Sequence, residues 1–305
     1  MDALDFYIVD VFTTVKYGGN QLGVFVDFND TLSDDEMLQI TRELKFPETT
    51  FIKKQLDDFK FEVRIFTPEY EVPFAGHPTL GTSYVISKYI LSQPSRQLTL
   101  KLKHANIDVS IDNPNDLENS KFIMQQAQPE FLGNFSPVEI ATALDIDLSN
   151  LDPSKPIEEV STGLPYIIIP VKTLQQINHV NIGYQSLSDF LISNKKHKSN
   201  SPNNLNTSLF FVCEDTFEKS SGYNTRMFCL ENGAVVEDAA TGSANGCLLA
   251  YLLKNENKKI DGIVEQGFQK GRKSYIHLDG KLENTNYILN IGGNVVEVSN
   301  GKWNV

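Results

Sequence analysis

Apolar and polar residues alternate along most of the chain, and twice the alternation gives way to a helical run that is apolar on most sides. Phe59, Phe61, Val63 and Ile65 keep the period of two expected of a half-buried strand. The same pattern predicts strands at Phe6 to Phe12, Leu22 to Val26, from Glu48 through Ile52, at Leu98 to Leu102 and at Ile107 to Ile111. In the second half it predicts strands at Tyr166 to Val171, Leu209 to Val212, Thr225 to Leu230, Ile260 to Val264, Ser274 to Leu278, Tyr287 to Ile291 and Val295 to Val298. One apolar run follows Gly76 (Leu80, Tyr84, Val85, Tyr89, Ile90) and the other follows Gly242 (Leu248, Leu249, Tyr251, Leu252, Leu253). A helix apolar all round has no face to offer water and is buried. Set among strands, each run predicts α+β architecture: a curved, mostly antiparallel, barrel-like sheet wrapped around a central helix, twice over. Amphipathic helices are predicted after Ser33-Asp34-Asp35-Glu36 and after Ser136-Pro137-Val138-Glu139, both with capping-box spacing.

The polar stretch Asn113-Pro114-Asn115-Asp116 reads as a linker, dividing an N-terminal domain, 1–115, from a C-terminal domain, 121–305, whose final strand is free to exchange with the first. A chain of 305 residues suits two cores. The net charge of −12 argues against a nucleic-acid or anionic-membrane surface. The opening Met1-Asp2-Ala3-Leu4-Asp5 lacks the basic and apolar regions of a signal peptide, and no window offers the ~20 apolar residues of a membrane span, so a cytoplasmic protein is expected. Cys213, Cys229 and Cys247 fit no disulfide or zinc spacing and read as small core residues.

Candidate chemistry gathers at two turns of one design. Pro73-Phe74-Ala75-Gly76-His77-Pro78-Thr79 is echoed by Asp238-Ala239-Ala240-Thr241-Gly242-Ser243-Ala244. Glu71 stands five residues before Gly76 as Glu237 does before Gly242, and Arg64-Ile65-Phe66 is matched by Arg226-Met227-Phe228. At a helix start the first N–H groups lack intrahelical partners and the dipole is positive, so two such turns could hold a carboxylate. They could equally be two capped helix starts. Glu48, at a strand start among apolar residues, could exchange protons if burial raised its pKa; a surface glutamate beside a turn fits the same residues. His77 is either a proton relay or a helix cap. Glu237 and Asp238 could be acidic partners of a site or plain complements to the helix dipole. The remaining histidines, His104, His179, His197 and His277, have no partner spacing, and no metal-ligand spacing or phosphate-binding loop is present. Gly18-Gly19-Asn20 and Gly292-Gly293-Asn294 read as tight turns between strands.

Taken together, Asp10-Val11-Phe12-Thr13, Gly19-Asn20, Phe46-Pro47-Glu48-Thr49-Thr50-Phe51, Arg64-Ile65-Phe66-Thr67-Pro68, the Phe74 to Thr82 block and the Glu237 to Ala244 block resemble the PhzF-like family, in order and spacing, over nearly the whole chain. Gln266-Gly267 with Gly271-Arg272 also fits. The resemblance implies the diaminopimelate-epimerase-like fold, with the site in a cleft between two similar domains, and a cofactor-free, often homodimeric isomerase acting on a small carboxylic acid. It implies Glu48 as the group that shuttles a proton between carbons, and His77, Asp238 and Ser243 as supporting catalytic residues. Asn20, Gly76, Thr241 and Gly242 would bind substrate. Ala239 stands where the family frequently has proline. Racemases of this fold use one thiol on each turn; Ala75 and Thr241 near those places argue against that chemistry, since a side chain without a titratable proton cannot act as general base. A carboxylate-binding protein without turnover is the competing class. Substrate selectivity is expected in loops at Gly183 to Asp189 and Leu230 to Gly233.

Overall fold

In a computed structural model, which describes residues 3–103, 105–231 and 233–305, the two apolar runs form the helices Gly76–Val85 and Gly242–Asn255. The readings made of Met1, Asp2, His104 and Asn232 lie outside the described residues. All ten residues of the first helix are buried, as are Gly242 through Leu253 of the second. Neither has a polar stripe, so each can be stable only with strands packed around it.

The chain forms two units, one of Met1–Gln125 with Ile291–Val305 and one of Gln126–Asn290. In the first, Ala3–Val11 pairs antiparallel with Asn20–Val26 and with Val295–Asn304. Asn20–Val26 runs parallel to Glu48–Asp57, and the helix Asp34–Leu44 makes the crossover that a parallel pair requires. Glu48–Asp57 then pairs antiparallel with Lys60–Phe66, which pairs antiparallel with Glu71–Val72 and parallel with Gln97–Lys101. The crossover of this second parallel pair is the buried helix Gly76–Val85.

The second unit repeats this order. Pro165–Pro170 is antiparallel to Ile157–Ser161 and parallel to Ser208–Cys213. Ser208–Cys213 is antiparallel to Tyr223–Glu231, which is antiparallel to Ala234–Asp238 and parallel to Lys259–Gln266. Its buried crossover is Gly242–Asn255. The sheets are therefore mixed, antiparallel in most pairings and parallel at the two crossovers of each unit.

A second layer lies outside each sheet. In the first unit Met37 and Ile40 of Asp34–Leu44 cover Phe25, Phe51 and Phe66. In the second, Ile140 and Leu144 of Pro137–Leu144 and Leu187, Phe190 and Leu191 of Tyr184–Ser193 cover Ile167, Ile169 and Phe211. The Ser33 capping box forms with both reciprocal bonds, and the Ser136 hydroxyl accepts from the Glu139 amide at 3.1 Å.

One expected loop is not a loop. Gly183 is the residue before a helix, Tyr184–Ser193, and Leu187 and Leu191 are buried at helical spacing, so the segment read as a selectivity loop is mostly the first turns of a packed helix. Leu230 and Glu231 likewise end the strand Tyr223–Glu231. Among the described residues no helix is long and apolar enough to cross a membrane.

Candidate active site

Each glycine turn hangs from the same arginine–glutamate frame. The Arg64 guanidinium donates to both Glu71 oxygens at 2.8 and 3.0 Å, and the Arg226 guanidinium to both Glu237 oxygens at 2.9 and 2.8 Å. In each case the glutamate sits opposite the phenylalanine two residues after the arginine, Phe66 with Glu71 and Phe228 with Glu237. The guanidinium also lies over that ring, at 5.0 Å in the first unit and 4.8 Å in the second. Burial works against ionising Glu71, yet the Arg64 and Lys103 cations hold its carboxyl below the usual range. Glu71 and Glu237 are thus committed to the framework, whereas Asp238, next to Glu237, accepts from Thr241 Oγ1.

The two helix starts lack a side-chain cap that three other helices of the chain have. Ser33, Ser136 and Thr173 cap their helices through side-chain oxygens, whereas Ala75 and Thr241 make no side-chain cap bond. In both, a residue one turn in reaches back to the cap carbonyl instead: Thr79 Oγ1 donates to Ala75 O at 2.8 Å, and Asn245 Nδ2 to Thr241 O at 3.0 Å. The first N–H groups of a buried helix are left without a side-chain cap, with glycine at the first helical position, so an anion can approach the backbone there.

At the first turn His77, 4% exposed, stands within reach of Glu48: Nε2 lies 3.5 Å from Glu48 Oε2. The same nitrogen is 3.3 Å from Gln21 O, and Nδ1 is 3.3 Å from Asn20 Nδ2. Burial pushes the His77 pKa down from 6.5 to about 3, so the ring is neutral at ordinary pH. Glu48 opens its strand, Asn20 opens another, and the pairing Leu22 to Glu48 sets the two strand starts side by side. Asn20 itself is 1% exposed. It follows Gly19, whose φ is +60° and where a Cβ would lie 2.2 Å from Val11 O, so only glycine makes this turn.

At the second turn the polar groups are mostly neutral. Thr241 Oγ1 donates to Asp238 Oδ2 at 2.6 Å. Gln266, fully buried, donates to Thr241 Oγ1 at 2.9 Å and accepts from the Thr241 amide and from Asn245 Nδ2, each at 3.1 Å. Ser243 Oγ and the Tyr166 hydroxyl are 2.7 Å apart, and burial pushes that hydroxyl well above its usual pKa. Gly267, φ +75°, passes so close that a Cβ would lie 2.4 Å from Ala239 O.

In the first unit, then, Glu48, His77, Asn20 and Gly76 come together; in the second, Asp238, Thr241, Gly242 and Ser243 do. Sequence reasoning did not single out Tyr166, Asn245 or the part played by Gln266. Tyr166 and Ser243 are 77 residues apart and no spacing links them. The cysteines are buried and form no disulfide with one another, and burial raises the thiols of Cys213 and Cys247 to about 12. Ala75 and Thr241 are the two cap residues, so the cap of neither turn carries a thiol. Among the described residues no group of three or more His, Cys, Asp or Glu is placed to hold a metal ion.

The family of phenazine biosynthesis-like proteins, PhzC-PhzF, matches residues 9–301. The trans-2,3-dihydro-3-hydroxyanthranilate isomerase of Pseudomonas aeruginosa is 27% identical over 97% of this chain and 98% of its own. An uncharacterized isomerase of Clostridium acetobutylicum is 32% identical over 96% of this chain and 95% of its own. The crystal structure of a Bacillus anthracis phenazine biosynthesis protein of the PhzF family superposes with a TM-score of 0.85 at 26% identity, covering 100% of both chains. A hydroxyproline epimerase from Agrobacterium vitis shares the fold, with a TM-score of 0.61 at 9% identity over 99% of this chain and 91% of that one.

Proposed function

The chain belongs to the phenazine biosynthesis-like, PhzC-PhzF, family and is an isomerase, and from that footing we propose that it works without a cofactor, moving a proton between carbon atoms of a small carboxylic acid with Glu48 as general acid and base. The observation that carries the reading is the pairing of Glu48 with a neutral, buried His77 at 3.5 Å, beside a buried helix start that has no side-chain cap. The uncapped amides and the glycine at Gly76 suit a carboxylate, which would be drawn there by the unsatisfied N–H groups and the helix dipole. A substrate fixed by its carboxylate presents its neighbouring carbon in one orientation, which is what a single carboxyl group needs to remove a proton and return it elsewhere on the same face.

His77, neutral over the working range, faces the Glu48 carboxylate as a dipole rather than as a charge. Asp238 is the second proton acceptor, its carboxylate oriented by the Thr241 hydroxyl, and Ser243 is a hydroxyl donor held by Tyr166. The P. aeruginosa relative's named reaction makes trans-2,3-dihydro-3-hydroxyanthranilate the first substrate to try; it bears both the carboxylate and the unsaturation that acidifies a carbon–hydrogen bond. The homodimeric state implied by family resemblance is part of the same proposal. The test is incubation of the protein with this compound in D2O. Deuterium at a carbon of the recovered product is expected; saturable binding with no carbon-bound deuterium would make the chain a binding protein instead.

A further inference from the structure

We propose that Asn20 is a positioning residue rather than a substrate contact: it locks His77 in the tautomer that carries its proton on Nε2, so that the ring offers an N–H toward Glu48. The inference rests on the reading of Glu48 as the reacting group, but its own grounds are geometric. His77 Nε2 lies 3.3 Å from the backbone carbonyl of Gln21, which can only accept. A bare Nε2 would set two lone pairs against each other, so Nε2 bears the hydrogen. In a neutral ring Nδ1 then carries the lone pair, and the group 3.3 Å from it must donate. Asn20 does so through its amide Nδ2. The carbonyl of Gln21, whose orientation the backbone fixes, thus settles which end of the Asn20 amide faces the ring.

The fold makes Asn20 a poor ligand for a diffusing substrate and a good brace. It is almost wholly buried, turned inward by the Gly19 turn, and registered opposite Val11. The two neighbours Asn20 and Gln21 grip the imidazole from its two nitrogens, one donating and one accepting. Glu48 Oε2 lies 3.5 Å from the same Nε2, whose hydrogen bond goes to Gln21 O. A ring so held can donate to the Glu48 carboxylate and cannot take up its proton, because its only lone pair is occupied by Asn20. The proton removed from substrate therefore stays on Glu48 until it is returned. Burial, which pushes the ring's pKa to about 3, agrees by disfavouring the doubly protonated form.

The test is the nitrogen spectrum of His77 in the full-length, 15N-labelled protein near pH 7 without substrate, with the resonances assigned by their loss in His77→Gln. Nδ1 is expected to resonate as an unprotonated ring nitrogen and Nε2 as a protonated one. Asn20→Asp, which offers Nδ1 only an acceptor, is expected to bring a proton onto Nδ1. A wild-type ring protonated on Nδ1, or Asn20→Asp leaving the wild-type pattern unchanged, would overturn the proposal. Should Asn20→Asp fail to fold, the wild-type spectrum still decides the tautomer. Because no substrate is present, these results stand apart from the isomerase reading, whose failure would show as undiminished turnover by Glu48→Gln.

Discussion

The two glycine turns stand on one framework and carry different chemistry. In both units an arginine grips a glutamate bidentately, stacks over a phenylalanine, and the chain then enters a buried helix without a side-chain cap. The register extends the match. Leu22 pairs with Glu48 as Tyr166 pairs with Ser208, and Thr49 pairs with Phe66 as Leu209 pairs with Phe228. Ser208 is therefore the second unit's counterpart of Glu48, and Ser243 that of His77. The repeat is kept where the fold depends on it and lapses at the reacting groups. The first turn keeps an ionisable carboxyl beside an imidazole. The second keeps hydroxyls and amides around a single aspartate. On the proposed reading, proton transfer at carbon belongs to the first turn and orientation, with a secondary acceptor, to the second.

The largest expected asymmetry is catalytic. Glu48→Gln should lower kcat by about 10²–10⁴-fold, the worth of one positioned acid–base group, while Ser208→Ala at the matching position leaves kcat within about twofold. Comparable losses in both would erase the distinction. The frameworks differ next in stability. Arg226 is 9% exposed and also donates to the carbonyls of Ile177 and Val180, at 3.0 and 2.7 Å; Arg64 is 24% exposed. Arg226→Met takes the guanidinium away from a half-buried glutamate and from the carbonyls of Ile177, Asn178 and Val180, and should cost about 3–5 kcal/mol in urea unfolding. Arg64→Met should cost about 1–2 kcal/mol, since Glu71 retains Lys103 at 2.9 Å. Equal midpoints for the two variants would contradict this.

The imidazole adds a pH dependence of its own to the first turn. Burial holds the His77 pKa at about 3 in the folded chain, against its ordinary 6.5. Between those values the unfolded chain binds a proton that the folded chain does not. The stability associated with the neutral ring is thus complete above about pH 6.5 and is lost as pH falls toward 3, by at most about 5 kcal/mol. Unfolding free energies of wild type and His77→Gln, compared across pH 7 to 4, should show the steeper fall in wild type; parallel curves would count against a buried neutral ring. The smallest effect belongs to the second turn. Asp238→Asn keeps an acceptor for the Thr241 hydroxyl but loses the charge, and kcat should drop about tenfold, roughly one hydrogen bond to a charged group.

Much of the frame was readable from the residues. Period-two strands, two all-apolar runs and the paired Arg-x-Phe and glycine blocks are local patterns, and local patterns are what repeat in a duplicated fold. The wiring was not. Asn20 meets His77 across 57 residues and Ser243 meets Tyr166 across 77; such pairs arise from strand register, which leaves no spacing to read. Glu237 and Asp238, adjacent in sequence, could not be told apart until Arg226 was found on the first and Thr241 on the second. Gly183 to Asp189 reads as a loop because glycine stands at its start and polar residues interrupt the Leu187, Phe190 and Leu191 that anchor the helix.

The central claim, that Glu48 itself moves the proton, is tested most directly by turnover of trans-2,3-dihydro-3-hydroxyanthranilate in D2O by wild type and Glu48→Gln, with carbon-bound deuterium read by mass spectrometry and NMR. Wild type should place deuterium on a product carbon, and Glu48→Gln should bind the compound yet leave its carbon–hydrogen bonds unexchanged. Deuterium uptake by Glu48→Gln at the wild-type rate would contradict the account.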